Sequence, residues 1–113
     1  MSPGDVVIAT LPQSDGALKL RPAVLLSAMP PYGDWLACGV STQLHHCVAG
    51  FAELVPLQAP DFSSSGLRQA SLLRLGFLST LPRAHIGGVV GRIDSERLQR
   101  LLARLARHLA PQR

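Results

Sequence analysis

The sequence predicts a mainly β protein of the β-rich α+β class: a small, strongly bent β-barrel carrying one amphipathic helix at its C-terminal end. Three observations predict it. Short runs of β-branched and apolar residues recur up to about residue 93, each broken by Gly or Pro, which is the punctuation of short strands in a small barrel. After Ile93 the apolar spacing changes, and Leu98, Leu101, Leu102, Leu105 and Leu109 fall on one face of a helix. The 113 residues, 47% of them hydrophobic, suffice for one core. We therefore expect one domain over 1–113, with a barrel over about 4–93 and a helix over about 95–109.

Val6, Val7 and Ile8 make Asp5 to Leu11 the first strand, and Pro12 stops it. Gln13 to Leu20 reads as a loop turning at Ser14-Asp15-Gly16. The unbroken apolar run Ala23 to Ser27 is a buried strand, ended by Pro30, Pro31 and Gly33. Trp35 to Val40 is the third strand, and Gly50 to Leu57 a fourth that ends near Pro56 to Pro60. Asp61 to Gly66 is a short helical turn whose Gly66 suits a left-handed cap. Ser71 to Leu75 and Phe77 to Leu81 read as two strands around Gly76. Ile86 to Ile93 is the last, with Gly87, Gly88 and Gly91 marking bulges or a close backbone approach. The helix has Asp94 or Ser95 as N-cap and Pro111 as its stop. Its Arg97, Arg100, Arg104 and Arg107 are expected opposite the leucines, in solvent.

Composition excludes several classes. A mean hydropathy of +0.23 with 16% charged residues excludes a disordered chain, and 10 Gly with 9 Pro exclude a coiled coil. The longest uncharged run, Trp35 to Ala52, contains Ser41, Thr42, Gln43, His45 and His46 and is too polar to span a membrane. Met1-Ser2-Pro3-Gly4-Asp5 offers no basic residue ahead of an apolar stretch, so no secretory signal is expected. Cys38 and Cys47 are too few for a disulfide framework, and a cytoplasmic protein with reduced thiols is expected. The net charge of +4 is carried entirely by the segment from Arg92 onward. Residues 1–91 are neutral, so any contact with nucleic acid has to be local.

Several segments follow one another in a telling order: Gly4-Asp5-Val6-Val7-Ile8-Ala9, then Lys19-Leu20-Arg21-Pro22-Ala23-Val24-Leu25-Leu26-Ser27, then Gly39-Val40-Ser41-Thr42-Gln43. Asp61-Phe62 to Gly66-Leu67, Ala70-Ser71-Leu72-Leu73-Arg74 and Gly88-Val89-Val90-Gly91-Arg92-Ile93 continue it. No one segment is specific. As an ordered set over nearly the whole chain they resemble the toxins of type II toxin–antitoxin modules called MazF, PemK or Kid. The resemblance implies an SH3-like barrel with a C-terminal helix and a homodimer. It implies metal-independent, cofactor-free cleavage of single-stranded RNA, often mRNA, at short sequences. It also implies a cognate antitoxin whose disordered acidic tail covers the RNA site. Arg21 stands where family members carry an Arg before the Pro of the second strand. Ser41 stands at the Thr or Ser that ends the third, followed by Thr42 and Gln43. Many members read Arg-Thr-Ile-Asp on a later strand; here Ser79-Thr80-Leu81-Pro82 keeps only Thr80. Proline replaces the acid, which leaves the acid–base partner open.

Metal-free RNA cleavage attacks phosphorus with the substrate's own 2′-hydroxyl. It needs a base near that oxygen, an acid near the leaving 5′-oxygen and positive charge on the phosphate. Arg21 is the candidate for the charge, because a guanidinium forks onto two phosphate oxygens and stays protonated. Ser41 and Thr42 are catalytic candidates as hydroxyl donors, although strand-end hydroxyls also satisfy local backbone. His45 or His46 is the candidate acid or base, histidine being the side chain type that titrates near neutrality unaided. Neighbours on an extended chain point opposite ways, so at most one of them faces a site. Lys19, Gln43, Arg74 and Thr80 are the RNA-binding candidates. Trp35, Tyr32 and Phe51 are candidates for stacking on bases, with the core the ordinary place for Trp35 and Phe51. Cys38, His45, His46 and Cys47 lack the spacing of a zinc site, and no metal is expected.

Two other functions suit the same architecture. One is a non-catalytic relative that keeps dimer and antitoxin contacts, favoured by Ser79 and Pro82. The other is a gyrase poison of the CcdB type. Those toxins resemble one another in a Trp-Gly-Ile C-terminus, whereas this chain ends Pro111-Gln112-Arg113 and has Trp35 as its one tryptophan.

Overall fold

The fold is taken from a computed structural model that describes residues 1–110; Pro111, expected to stop the helix, lies outside the described residues. One antiparallel sheet organises the chain. Its strands are β1 (Asp5–Pro12), β2 (Leu18–Met29), β3 (Asp34–Ser41), β4 (Glu53–Val55), β5 (Ser71–Leu81) and β6 (Ile86–Arg92), in the spatial order β4-β5-β3-β2-β1-β6. The sheet curls into a half-barrel, accompanied by a one-turn helix α1 (Phe62–Ser65) and a closing helix α2 (Ser95–Leu109). This is the β-rich, SH3-like architecture with a C-terminal helix that the sequence predicts.

The curl has local causes. Along β1 and β6 the register skips Gly87 and Val90; along β2 and β3 it skips Leu26. Between β3 and β5 the skip is larger: Cys38 faces Leu78, but Gly39 faces Arg74. Extra residues on one strand of a pair bend it and increase its twist. This also corrects the expected pair of strands around Gly76. Ser71–Leu81 is one strand, because the bulge absorbs Gly76 instead of ending the pairing. The loop expected over Gln13 to Leu20 is shorter as well. Gln13 and Ala17 close a tight turn by an N–H···O bond of 2.8 Å, so β2 already pairs with β1 from Leu18 onward. The fourth strand contracts to Glu53–Val55.

Strand alternation divides the apolar residues between two cores. Val6, Val24, Leu26, Cys38, Leu73 and Leu75 face α2 and meet its Leu101 and Leu105. Val7, Ala9, Leu11, Ala23, Leu25, Trp35 and Ala37 face the opposite side of the sheet, with Leu81. Each fully buried leucine stabilises by about 1.5–3 kcal/mol. The expected turn at Asp61 to Gly66 is present, with Gly66 left-handed at φ 74°. A Cβ at Gly91 would run into the backbone of Ser64 and Ser65, so α1 rests directly on β6.

The expected solvated face of α2 arginines holds only in part: Arg100 and Arg107 are exposed, but Arg97 is buried and Arg104 half-buried. Arg97 lies four residues before the buried Leu101 and Arg104 three after it, which on a helix is the same side. Arg97 is buried; its guanidinium is bidentate on Asp61 (2.8 and 3.0 Å) and also donates to Glu53 Oε1 (3.1 Å) and the Leu54 carbonyl (2.8 Å). Arg100 and Arg104 converge on the same Glu53 at 2.7 and 2.6 Å. Asp94 is the N-cap, accepting the Arg97 N–H at 2.7 Å, and the helix ends at Leu109 with Ala110 extended.

Candidate functional site

Pairing register puts three candidate side chains on one face. Residues directly opposite each other in an antiparallel pair share a face, as do residues two apart on one strand. Arg21 lies opposite Ala9, Gly39 opposite Ala23, and Arg74 opposite Gly39. Arg21, two before Ala23, and Ser41, two after Gly39, therefore share the face of the second core with Arg74. Where that core runs out, near Leu11 and Phe77, the face opens into a groove of about 670 Å³. The turn between β1 and β2 forms one wall. The segment after β3 forms the other, with Ser41, Thr42, Gln43 and His46.

The electrostatics of the groove are one-sided. Among the described residues no carboxylate lines it. Among the described residues the guanidiniums of Arg21 and Arg74 have no hydrogen-bond or ion-pair partner; that of Arg74 lies over the Phe77 ring, 6.0 Å from its centroid. Ser41 Oγ accepts the Gln43 N–H at 3.0 Å, as a strand-end hydroxyl does, and that bond leaves its own proton to donate. His45 and His46 sit on a 3-10 turn (Leu44–His46), their ring centroids 4.3 Å apart and their planes at 63°. Only His46 of the two lines the groove.

A family model described as PemK-like, MazF-like toxin of type II toxin–antitoxin systems matches residues 2–109. The chain belongs to this family. The Mycobacterium tuberculosis toxin MazF-mt6 has a similar solved structure, with a TM-score of 0.67 over 91% of this chain and 93% of that one. The two share 19% sequence identity, so the likeness is one of fold. No curated protein sequence matches the chain.

For this MazF-like chain the structure gathers Arg21, Ser41, Thr42, Gln43, His46 and Arg74 around one groove and leaves three candidates outside it. Lys19 is exposed on β2, opposite Leu11; Thr80 lies at the far end of β5, opposite Leu36; His45 is exposed and is not among the groove residues. Ser79 and Pro82, where the family pattern carries its Arg and Asp, are likewise not groove residues. Trp35 is in the core at 4% exposure, Phe51 is half-buried with its ring 4.8 Å from that of His108, and Tyr32 is exposed. The aromatic residue in the groove is Phe77, which sequence reasoning missed. Its signal is the preceding Gly76, since glycine inside a strand marks a bulge or a close approach. Burial pushes the Cys38 thiol up to about 12, against weaker help from backbone hydrogen bonds. It lies in the core, whereas His45, His46 and Cys47 are exposed, and among the described residues no group of three His, Cys, Asp or Glu could hold a metal. No helix among them is long and apolar enough to cross a membrane.

Proposed function

We propose that this toxin is an endoribonuclease that cleaves single-stranded RNA, mRNA included, in the groove. The observation that carries the reading is the pairing pattern of its arginines. Three arginines of α2 are tied to Glu53 and Asp61, while Arg21 and Arg74 line a groove with no carboxylate and no hydrogen-bond or ion-pair partner for them among the described residues. A phosphodiester strand supplies the missing anions. Arg21 forks onto the two non-bridging oxygens of the scissile phosphate, and the hydroxyls of Ser41 and Thr42 donate to the same group. His46 accepts the proton of the attacking 2′-hydroxyl. The new 2′-O–P bond displaces the 5′-oxygen, which takes a proton from water in the open groove. The products are a 2′,3′-cyclic phosphate and a 5′-hydroxyl, and no step uses a metal or cofactor. Gln43 and Arg74 hold flanking nucleotides; Lys19 and Thr80, outside the groove, contact RNA only if the strand runs past its ends.

In the cell the same unpaired cations suit the acidic, disordered tail of a cognate antitoxin, and two copies of the toxin form the working dimer in the cytoplasm. The test is incubation of the pure protein with mixed RNA in excess chelator, with analysis of the new ends. Cyclic phosphate and 5′-hydroxyl termini are expected. The replacement of the family's acid by Pro82 favours a second reading, a toxin fold that binds its antitoxin and does not cut, and intact RNA in that assay decides for it. The gyrase-poison reading draws no support from Trp35, which is in the core.

A further inference from the structure

β5 leaves its ladder at one place, and that place is the groove. Cys38 pairs with Leu78 and the next residue of β3, Gly39, with Arg74, so Leu75, Gly76 and Phe77 stand out as a bulge. The bulge lays the Phe77 ring on bare β3 backbone: a Cβ on Gly39 would lie 2.7 Å from Phe77 Cδ2. Phe77 stays half-buried and lines the groove beside Gly76, which has no side chain to cover it. The Arg74 guanidinium carbon lies over the ring at 6.0 Å from its centroid, the outer reach of a cation–π contact. The groove thus contains a part-exposed aromatic ring with a planar cation loosely over it, and that cation's N–H donors have no hydrogen-bond or ion-pair partner among the described residues.

We propose that Phe77 and Arg74 seat one unpaired nucleobase of the bound strand, Phe77 as its stacking floor and Arg74 as the reader of its edge, and that the base is guanine. The inference rests on the RNA reading above. Any base has a flat face to lay on Phe77, so stacking supplies affinity without choice. The choice comes from Arg74. Guanine presents O6 and N7 side by side, two acceptors that match two parallel guanidinium N–H donors. Adenine sets an amino donor beside its N7, which meets the guanidinium donor to donor, and the pyrimidines have no N7. The seat makes Phe77 and Arg74 specificity-determining residues, separate from the groups around the scissile phosphate.

The test uses short, labelled 2′-O-methyl oligonucleotides, uridine throughout except for one central base. The methyl group blocks attack by the 2′-oxygen, so affinity is read by fluorescence anisotropy without cleavage. The central base is guanine, adenine, uracil, cytosine or 7-deazaguanine, which lacks N7. Wild-type protein should bind the guanine strand at least about tenfold more tightly than the other three, and 7-deazaguanine should remove most of that advantage. Arg74→Gln should flatten the preference. Phe77→Leu should weaken all strands by about five- to tenfold. Equal affinity for guanine and 7-deazaguanine in the wild type overturns the proposal without any variant having to fold. So does RNA cleavage with a flat base preference, which leaves the nuclease reading standing. No binding of any strand overturns both.

Discussion

Arg21 and Arg97 carry the same guanidinium into opposite surroundings. Arg97 is buried among two carboxylates and a carbonyl; Arg21 is exposed in a groove without an acid. The difference was half legible in the sequence. Proline at 22 pushes the preceding residue toward extended backbone, so the extended backbone of Arg21 was readable, although Arg21 lies inside β2, already paired with Ala9, and not at the mouth of a strand. The partners of Arg97 were not, because Asp61 and Glu53 are 36 and 44 residues away and only the folded sheet brings them to α2. The two histidines show the same limit. Sequence allowed at most one of them to face a site, and of the two it is His46 that lines the groove. If His46 is the base, His46→Ala should lose about 10²-fold or more in rate, the usual share of general base catalysis. His45→Ala should keep the wild-type rate. Equal behaviour of the two variants removes His46 from the mechanism.

At the scale of elements, α2 is held to the sheet by two devices, leucine packing and the arginine network. The leucine stripe was legible from its period. The network was misread because the same period also brings Arg97 and Arg104 beside Leu101, and charge alone suggested solvent. Removing Arg97 leaves Asp61 buried without its cation, which should cost about 3–5 kcal/mol in urea unfolding. Arg100→Ala, with a side chain 46% exposed, should cost less than about 1 kcal/mol. Similar losses from both would mean that Arg97 is not the anchor. The hydrogen bonds from Arg97, outweighing burial and helped by the Asp94 N–H, hold the Asp61 carboxyl below the usual aspartate range. A carboxyl lowered on folding stabilises the protein above the ordinary aspartate value of about 3.9, and that stability is lost as pH falls through it toward the lower folded value. The melting temperature of wild type should therefore drop toward that of Asp61→Asn as pH is taken from 7 to 3. A gap that stays constant contradicts the pairing.

For the whole molecule, the barrel was legible in its Gly and Pro punctuation and in the switch of period after Ile93. The groove was legible only as separate residues. Arg21, Ser41 and Arg74 converge through the register of three strand pairs, and the β5 bulge that brings in Phe77 has no sequence mark beyond one glycine. Exposed apolar side chains remain on the single chain, among them Leu18, Leu20 and Val89 at 67%, 68% and 51% exposure. A two-fold dimer would cover surface of this kind. Light scattering at tens of micromolar, a range that easily populates a specific dimer, should report twice the 12.1 kDa chain mass. A mass of one chain would contradict the proposed dimer.

The central claim is that the unpaired Arg21 stabilises the charge of a phosphate under attack. Single-turnover cleavage of an end-labelled single-stranded RNA in excess chelator, by wild type, Arg21→Lys and Arg21→Ala, tests it most directly. The predicted result is a loss of about 10²–10³ in rate for Arg21→Ala, the usual effect of removing one such donor. Arg21→Lys should recover only part, because an ammonium cannot reproduce the fork. Thermal melts run alongside should show all three within about 0.5 kcal/mol, as for an exposed side chain without a partner. Cleavage by Arg21→Ala at the wild-type rate would contradict the account, and so would an Arg21→Ala protein that no longer folds.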